Sequence, residues 1–172
     1  MNIKTTNSTF NIQKIRQDFP ILSEKVNGKP LVYMDSGSTA QKPTQVINAV
    51  SNYYQKQNSN IHRGVHHLSQ EITIAYEKAR ATVQNHLNAA VPHEIIFTSG
   101  TTDSINLVAS SFGRKYINTG DEILISEMEH HSNILPWQTL CEERGAVLKV
   151  IPINYKGELR LDEYKNLLCS KT

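Results

Sequence analysis

Val46, Ile47, Val50 and Tyr54 recur three and four residues apart behind Pro43. That period predicts a helix opened by the proline. It returns in Ile72, Ala75, Tyr76, Ala79, Val83 and Leu87, a longer helix with Ser69 positioned to cap it. A third stripe, Ile105, Val108, Ala109 and Phe112, predicts a helix after the paired threonines Thr101 and Thr102. Shorter helices are expected over residues 11–19, ended by Pro20, up to about Arg144, stopped by Gly145, and over residues 161–168. Between them lie compact apolar runs that read as strands: residues 31–34, 95–97, 123–125 and 147–151. Residues 55–68 have no apolar period and read as loop; Gly120-Asp121 and residues 154–157 read as turns.

From residue 94 onward the order is strand, helix, strand, helix, strand, the pattern of an α/β fold with a parallel sheet and crossover helices. Such sheets place ligands beyond the C-terminal ends of their strands. Two polar stretches occupy those positions, FTSGTT after the residue 95–97 run and EMEHHSNILPWQ after the residue 123–125 run. In the first, Gly100 permits close backbone approach and the following helix N-terminus favours an anion such as a phosphate. Thr101 and Thr102 add hydroxyl donors. Neither a GxxxxGK[ST] nor a GxGxxG pattern is present, and a capped helix without a ligand is the plain alternative.

The second stretch, with Glu129, His130 and His131, is not an HExxH zinc motif. A histidine at a strand end can lay its ring against a planar ligand and keep a nitrogen for proton transfer; it can equally cap the next helix. Asn133 reads as a ligand contact or as an N-cap, and Trp137 and Leu140 as core. The segment from Asn60 to His67 holds three of the seven histidines. Metal ligation lacks a second ligand cluster, so no metal is expected. The remaining readings are a surface loop or a binding loop in which Arg63 meets an anionic group.

Composition narrows the class. With 172 residues, 38% hydrophobic and 20% charged, the chain suits one globular domain, or a domain with a piece of another. The formal net charge of +2 and scattered basic residues argue against a nucleic-acid partner. No apolar run is long enough to span a membrane, and the polar N-terminus lacks a secretory core. Cys141 and Cys169 form no CxxC pair. They fit a reducing, cytoplasmic setting, with Cys141 as a core thiol.

The stretches DFPIL, VNGKPLVYMDSGSTAQKP, IHRGVHHLS, FTSGTTDSINLVA, GDEILISEMEHHSNILPWQ and RGAVLKVIPIN, in that order, cover most of the chain. Together they give it a strong resemblance to the N-terminal half of pyridoxal-phosphate-dependent cysteine desulfurases of the SUF-system (group II) type, a class V aminotransferase-like family that includes selenocysteine lyases. The resemblance implies the N-terminal part of a fold-type-I, aspartate aminotransferase-like transferase with a mainly parallel, incomplete sheet. Residues 1–30 would belong partly to the small domain and residues 31–172 to the first half of the large cofactor-binding domain. By the same resemblance, Thr101 and Thr102 match the cofactor phosphate site, and His130 the ring-stacking, acid–base histidine. His62 and Arg63 match the substrate-entrance and dimer loop, and Gly37 and Ser38 the small-residue loop on the substrate side. Ser99 stands where the subgroup often has arginine, and DSGST replaces an alanine-rich run.

The family reaction converts L-cysteine to L-alanine and passes the sulfur, as a persulfide, to an acceptor protein for iron–sulfur cluster assembly; the enzymes are homodimers. The Schiff-base lysine of the family follows a histidine, and this sequence has no His-Lys dipeptide. Nor does any stretch match the family's pyridinium-pairing aspartate, substrate arginine or nucleophilic cysteine. The chain alone is therefore expected to be inactive. Other readings are a selenocysteine lyase or another class V enzyme, and a non-catalytic truncated dimerisation module.

Overall fold

A computed structural model describes residues 10–172. The chain forms two compact units, one ending at Ile95 and the other spanning Ile96–Thr172.

In the first unit, α1 (Ile12–Gln17) is capped by Asn11, whose Oδ1 accepts from the Lys14 amide at 3.0 Å. A two-residue antiparallel hairpin follows, β1 (Lys25–Val26) and β2 (Lys29–Pro30), turning on Asn27 and Gly28. Both turn residues have positive φ, 53° and 76°, as an Asn-Gly hairpin turn requires. The strand expected over residues 31–34 does not form. The Leu31 amide adds one bond to the Glu24 carbonyl at 3.0 Å, and the chain then bends into the turn that begins at Asp35.

α2 (Thr44–Asn52) starts behind Pro43 as the period predicts, and widens into a π turn over Tyr53–Gln57, whose last three residues reach into the segment expected to be loop. α3 (His67–Leu87) is capped by His66 rather than Ser69. The His66 ring nitrogen Nδ1 accepts from the Ser69 amide at 3.4 Å, which places Ser69 inside the first turn. The helix ends on Asn88 in the left-handed conformation.

The strand expected over residues 95–97 does not form either: the Ile95 amide bonds to the Pro92 carbonyl at 3.1 Å and its carbonyl accepts from the Arg80 guanidinium at 2.6 Å. A strand exists through the ladder that satisfies its backbone groups, and no strand among the described residues pairs with this one. Ile96 is 66% exposed.

The second unit holds α4 (Thr101–Val108), a π turn over Ala109–Gly113, α5 (Arg114–Tyr116), β3 (Glu122–Ser126), α6 (Leu135–Arg144), β4 (Val147–Ile151) and α7 (Leu161–Leu167). β3 and β4 run parallel, in register from Glu122 opposite Val147 to Ser126 opposite Ile151. The connection through α6 makes this the expected parallel crossover unit. Gly145 ends α6 at φ 69°, the conformation favoured for glycine at a helix C-terminus.

The core here is small: Ala109, Ile125, Leu140 and Cys141 are buried. Among the described residues no helix is long and apolar enough to cross a membrane.

Leu140 packs against Gly113 so closely that a methyl group there would run into its Cδ2. Gly113 has ordinary helical backbone angles, so its constraint is steric. Gly113→Ala is expected to lower stability by about 1–3 kcal/mol through overpacking, read as a lower urea midpoint at unchanged slope.

Candidate functional site

α4 begins on Gly100, whose φ of 154° suits glycine and which offers no side-chain cap. A Cβ at Gly100 would meet nothing within 4 Å, so the approach to this helix end is open. Two local bonds shape the turn: the Ser99 amide donates to the Asp103 carboxylate at 3.1 Å, and the Thr98 and Ser104 hydroxyls lie 2.7 Å apart. The first-turn amides of any helix lack partners within it and carry the positive end of its dipole. Thr101 and Thr102, both exposed, stand in that first turn.

The second element is the chain leaving β3. The ladder continues one residue past the strand, with the Glu127 amide bonded to the Ile151 carbonyl at 3.0 Å. The Glu127 carboxylate then takes the Ile153 amide at 3.0 Å, in place of another backbone carbonyl, and the main chain turns away.

Glu129 ties that turn together. It accepts from the Ser126 hydroxyl at 2.7 Å and from the Asn133 amide nitrogen at 2.8 Å. The Asn133 side-chain oxygen in turn accepts from the indole of Trp137 at 2.8 Å. These bonds, Ser126 foremost and then Asn133, hold the Glu129 carboxyl below the usual carboxylate value.

His130 sits inside this clamp. Its Nδ1 accepts from the Ser132 amide at 3.2 Å and lies 3.0 Å from the Ser132 hydroxyl. An Nδ1 that accepts places the proton of the neutral ring on Nε2. The rings of His130 and His131 meet edge to face, 6.1 Å apart at 85°.

A cavity of about 500 Å³ is lined by both Thr102 and His130. Farther along, Arg114 and Glu143 line it and join in a two-pronged ion pair, with both bonds at 3.1 Å. Thr102 and His130 are thus brought to one cavity; Thr101 adjoins on α4 without lining it.

The other anticipated residues belong to the first unit. His62 adopts a left-handed conformation at φ 63°. Its amide donates to the Thr73 hydroxyl at 3.0 Å, its Nε2 lies 3.2 Å from Glu77, and its ring meets Tyr76 edge-on. The Arg63 amide bonds to the Ile61 carbonyl at 2.9 Å. Next to it, Ser69, 1% exposed, accepts from the Gly64 amide at 3.1 Å and donates to the Asn60 carbonyl at 2.7 Å. The loop is therefore closed by a serine that the sequence reading treats only as a cap. Gly37 and Ser38 lie in the turn after Asp35, where the Ser38 amide bonds to the Asp35 carbonyl at 3.1 Å.

Cys141 is buried, and burial pushes its thiol up, away from thiolate formation. Cys169 is exposed, with its sulfur 3.3 Å from a Glu122 carboxylate oxygen. Among the described residues no three His, Cys, Asp or Glu side chains are grouped to hold a metal ion.

The family model for class V aminotransferases matches residues 32–172. The chain belongs to the class V aminotransferase family. It is 53% identical over 163 residues to a cysteine desulfurase of Synechococcus elongatus, an alignment covering 95% of this chain and 26% of that one. The apo structure of a cysteine desulfurase from Thermococcus onnurineus NA1 superimposes with a TM-score of 0.81 at 36% identity, over 92% of this chain and 38% of that one. A more distant fold neighbour, at 23% identity and TM-score 0.74, is a C-DES variant with glycine covalently linked to its PLP cofactor; 91% of this chain and 38% of that one are covered. The chain thus spans about a quarter of the curated relative and about two-fifths of each solved chain. Its fold is the N-terminal part of a fold-type-I PLP-dependent transferase, a partial α/β domain with a parallel strand pair.

The lowered Glu129 value sets a pH dependence. A carboxylate held low in the folded chain contributes stability that is complete above its unfolded value and lost as the pH falls through the folded one. That loss is expected below the ordinary value of 4.5. In urea denaturation followed across pH, Glu129→Gln should flatten part of the acid limb and leave the contributions of Glu122 and Asp162, whose values are also lowered.

Proposed function

We propose that these residues are the cofactor-cradling part of a cysteine desulfurase of the SUF-system type. The observation that carries this reading is the single cavity shared by Thr102 and His130, set in a chain 53% identical to a cysteine desulfurase. The donor set fits pyridoxal 5'-phosphate. The open α4 N-terminus with the Thr101 and Thr102 hydroxyls suits a phosphate dianion. The His130 ring suits the flat face of the pyridine, and its fixed tautomer leaves an Nε2 proton for donation.

When bound, the cofactor supplies an electron sink for the substrate's bonding electrons. This chain's own residues then bind and orient: Thr101 and Thr102 anchor the phosphate, and His130 covers one ring face and holds a proton at Nε2. His62 and Arg63, with Gly37 and Ser38, form loops for the substrate and the dimer contact; Arg63 offers a guanidinium to the L-cysteine carboxylate. We assign residues 31–172 to the large domain and residues 1–30, of which 1–9 lie outside the described residues, partly to the small one.

The reaction also needs a lysine to tether the cofactor and an accessible thiolate to take the sulfur. No residue here meets the first requirement by motif; for the second, Cys141 is buried, and the exposed Cys169 stands in no stretch that matches the family's nucleophilic cysteine. The reading therefore assigns both to polypeptide other than these 172 residues. The sulfur acceptor, the homodimer and the cytoplasmic setting complete the proposal.

The test is a titration of the purified chain with pyridoxal phosphate, followed by cofactor absorbance. Saturable binding is expected, weakened about tenfold or more in Thr102→Ala and His130→Ala, as for loss of one interaction with a charged or stacked partner. With L-cysteine the chain alone should yield no alanine. Mixed with a second polypeptide carrying the remaining part of a full-length relative, and with a thiol reductant to release the persulfide sulfur, it should yield alanine and sulfide. A folded chain that does not bind the cofactor, or a folded mixture that forms no alanine, overturns the proposal.

A further inference from the structure

The hydrogen bonds linking Trp137, Asn133, Glu129 and Ser126 have a direction, and one end fixes it. An indole N–H can only donate. The Asn133 atom 2.8 Å from Trp137 Nε1 must therefore be the amide oxygen, and the amide nitrogen must face Glu129, where it donates to Oε2 at 2.8 Å. The position opposite Asn133 is thereby required to accept. Glu129 does so, and its second oxygen takes the Ser126 hydroxyl at 2.7 Å.

This chain of bonds joins three elements around one residue. Ser126 is the last residue of β3, Trp137 lies in α6, and Glu129 and Asn133 flank the turn that carries His130. The Asn133 amide also donates to the His130 carbonyl at 2.7 Å. Side chain and main chain of Asn133 thus grip both sides of His130.

We infer that Asn133 and Glu129 are positioning residues for His130, working as a one-way relay from the Trp137 indole to the Glu129 carboxylate. In this role the Asn133 amide oxygen takes the Trp137 indole and one amide hydrogen goes to Glu129, and the cap position of α6 is Ile134. The inference rests on His130 being the ring wall of the cofactor site, and it adds a directional requirement that side-chain size alone does not impose.

Direction makes an unusual pattern of variants testable. In Asn133→Asp the new carboxylate still accepts from Trp137, but its other oxygen meets the Glu129 carboxylate with no hydrogen between them. Glu129→Gln alone is mild, because the Ser126 hydroxyl can rotate to accept the new amide while the amide oxygen still receives Asn133. Combined, the two changes restore a complete relay with its middle link reversed: Ser126 donates to the glutamine oxygen, and the glutamine nitrogen donates to the aspartate. Glu129→Gln should therefore rescue Asn133→Asp.

Trp137 is the only tryptophan, so its single indole N–H resonance reports the relay with no cofactor present. The ring-nitrogen shifts of His130 report its tautomer in the same way. Asn133→Asp is expected to move the indole resonance, to mix the His130 tautomers, and to weaken pyridoxal phosphate binding about tenfold or more, the effect of losing a hydrogen bond to a charged group. The double variant should return all three to within a few-fold of Glu129→Gln. An unfolded Asn133→Asp beside a folded double variant supports the relay equally. Unchanged signals in Asn133→Asp, or a double variant no better than Asn133→Asp in fold or signals, overturns it. If the unsubstituted chain binds no pyridoxal phosphate, the cofactor reading fails, while the indole and ring signals still decide the relay.

Discussion

The parallel ladder between β3 and β4 is the constraint from which the candidate site follows. It aligns five residue pairs and runs out where Glu127 meets Ile151 and Ile153. A ladder that stops leaves backbone donors without partners, and an unpaired amide removed from water is costly. Glu127 takes the amide of Ile153 with its side chain and frees its own main chain to turn. The turn then closes on Glu129, which bonds back to Ser126 at the strand end. His130 is held where it is because the strand beneath it ends in this way.

The same physics explains what the chain leaves open. Among the described residues burial is confined to a few apolar side chains and Ser69, while Met34 and Val65 are at least 90% exposed. The run at residues 95–97 has the composition of a buried strand, but no strand among the described residues pairs with it. This chain covers 38% of the length of the solved Thermococcus onnurineus NA1 relative, and Met34, Val65 and Ile96 stand exposed in it.

Helices and the parallel crossover were legible because their signals are periodic and local. The stripes behind Pro43 and beside Thr102 gave α2 and α4, and Gly145 gave the end of α6. The Asn-Gly hairpin at residues 27 and 28 is equally local, but strands of two residues are too short to show an alternating pattern. Serine is the commoner cap, so the sequence points to Ser69; only the fold shows that its hydroxyl joins Gly64 to Asn60 and that His66 takes the cap. The Glu129 relay has a helical spacing in its sequence, four residues from Glu129 to Asn133 and four more to Trp137. That spacing places side chains on one face without saying that they bond, and Trp137 read simply as core.

At His130 two readings of the sequence competed, a cap for the following turn and a ring against a flat ligand. The geometry makes them parts of one arrangement. Imidazole has two nitrogens with opposite roles when neutral. The cap uses Nδ1 as an acceptor from Ser132, and that bond assigns the proton to Nε2 on the other side of the ring. Capping therefore orients the ring and sets its tautomer, both of which a histidine beside a cofactor needs. A residue whose backbone-directed role fixes its ligand-directed role is poorly described by either alone. The neighbouring clamp of Glu129 and Asn133 extends the principle, since it fixes the turn by bonds whose direction one indole N–H determines.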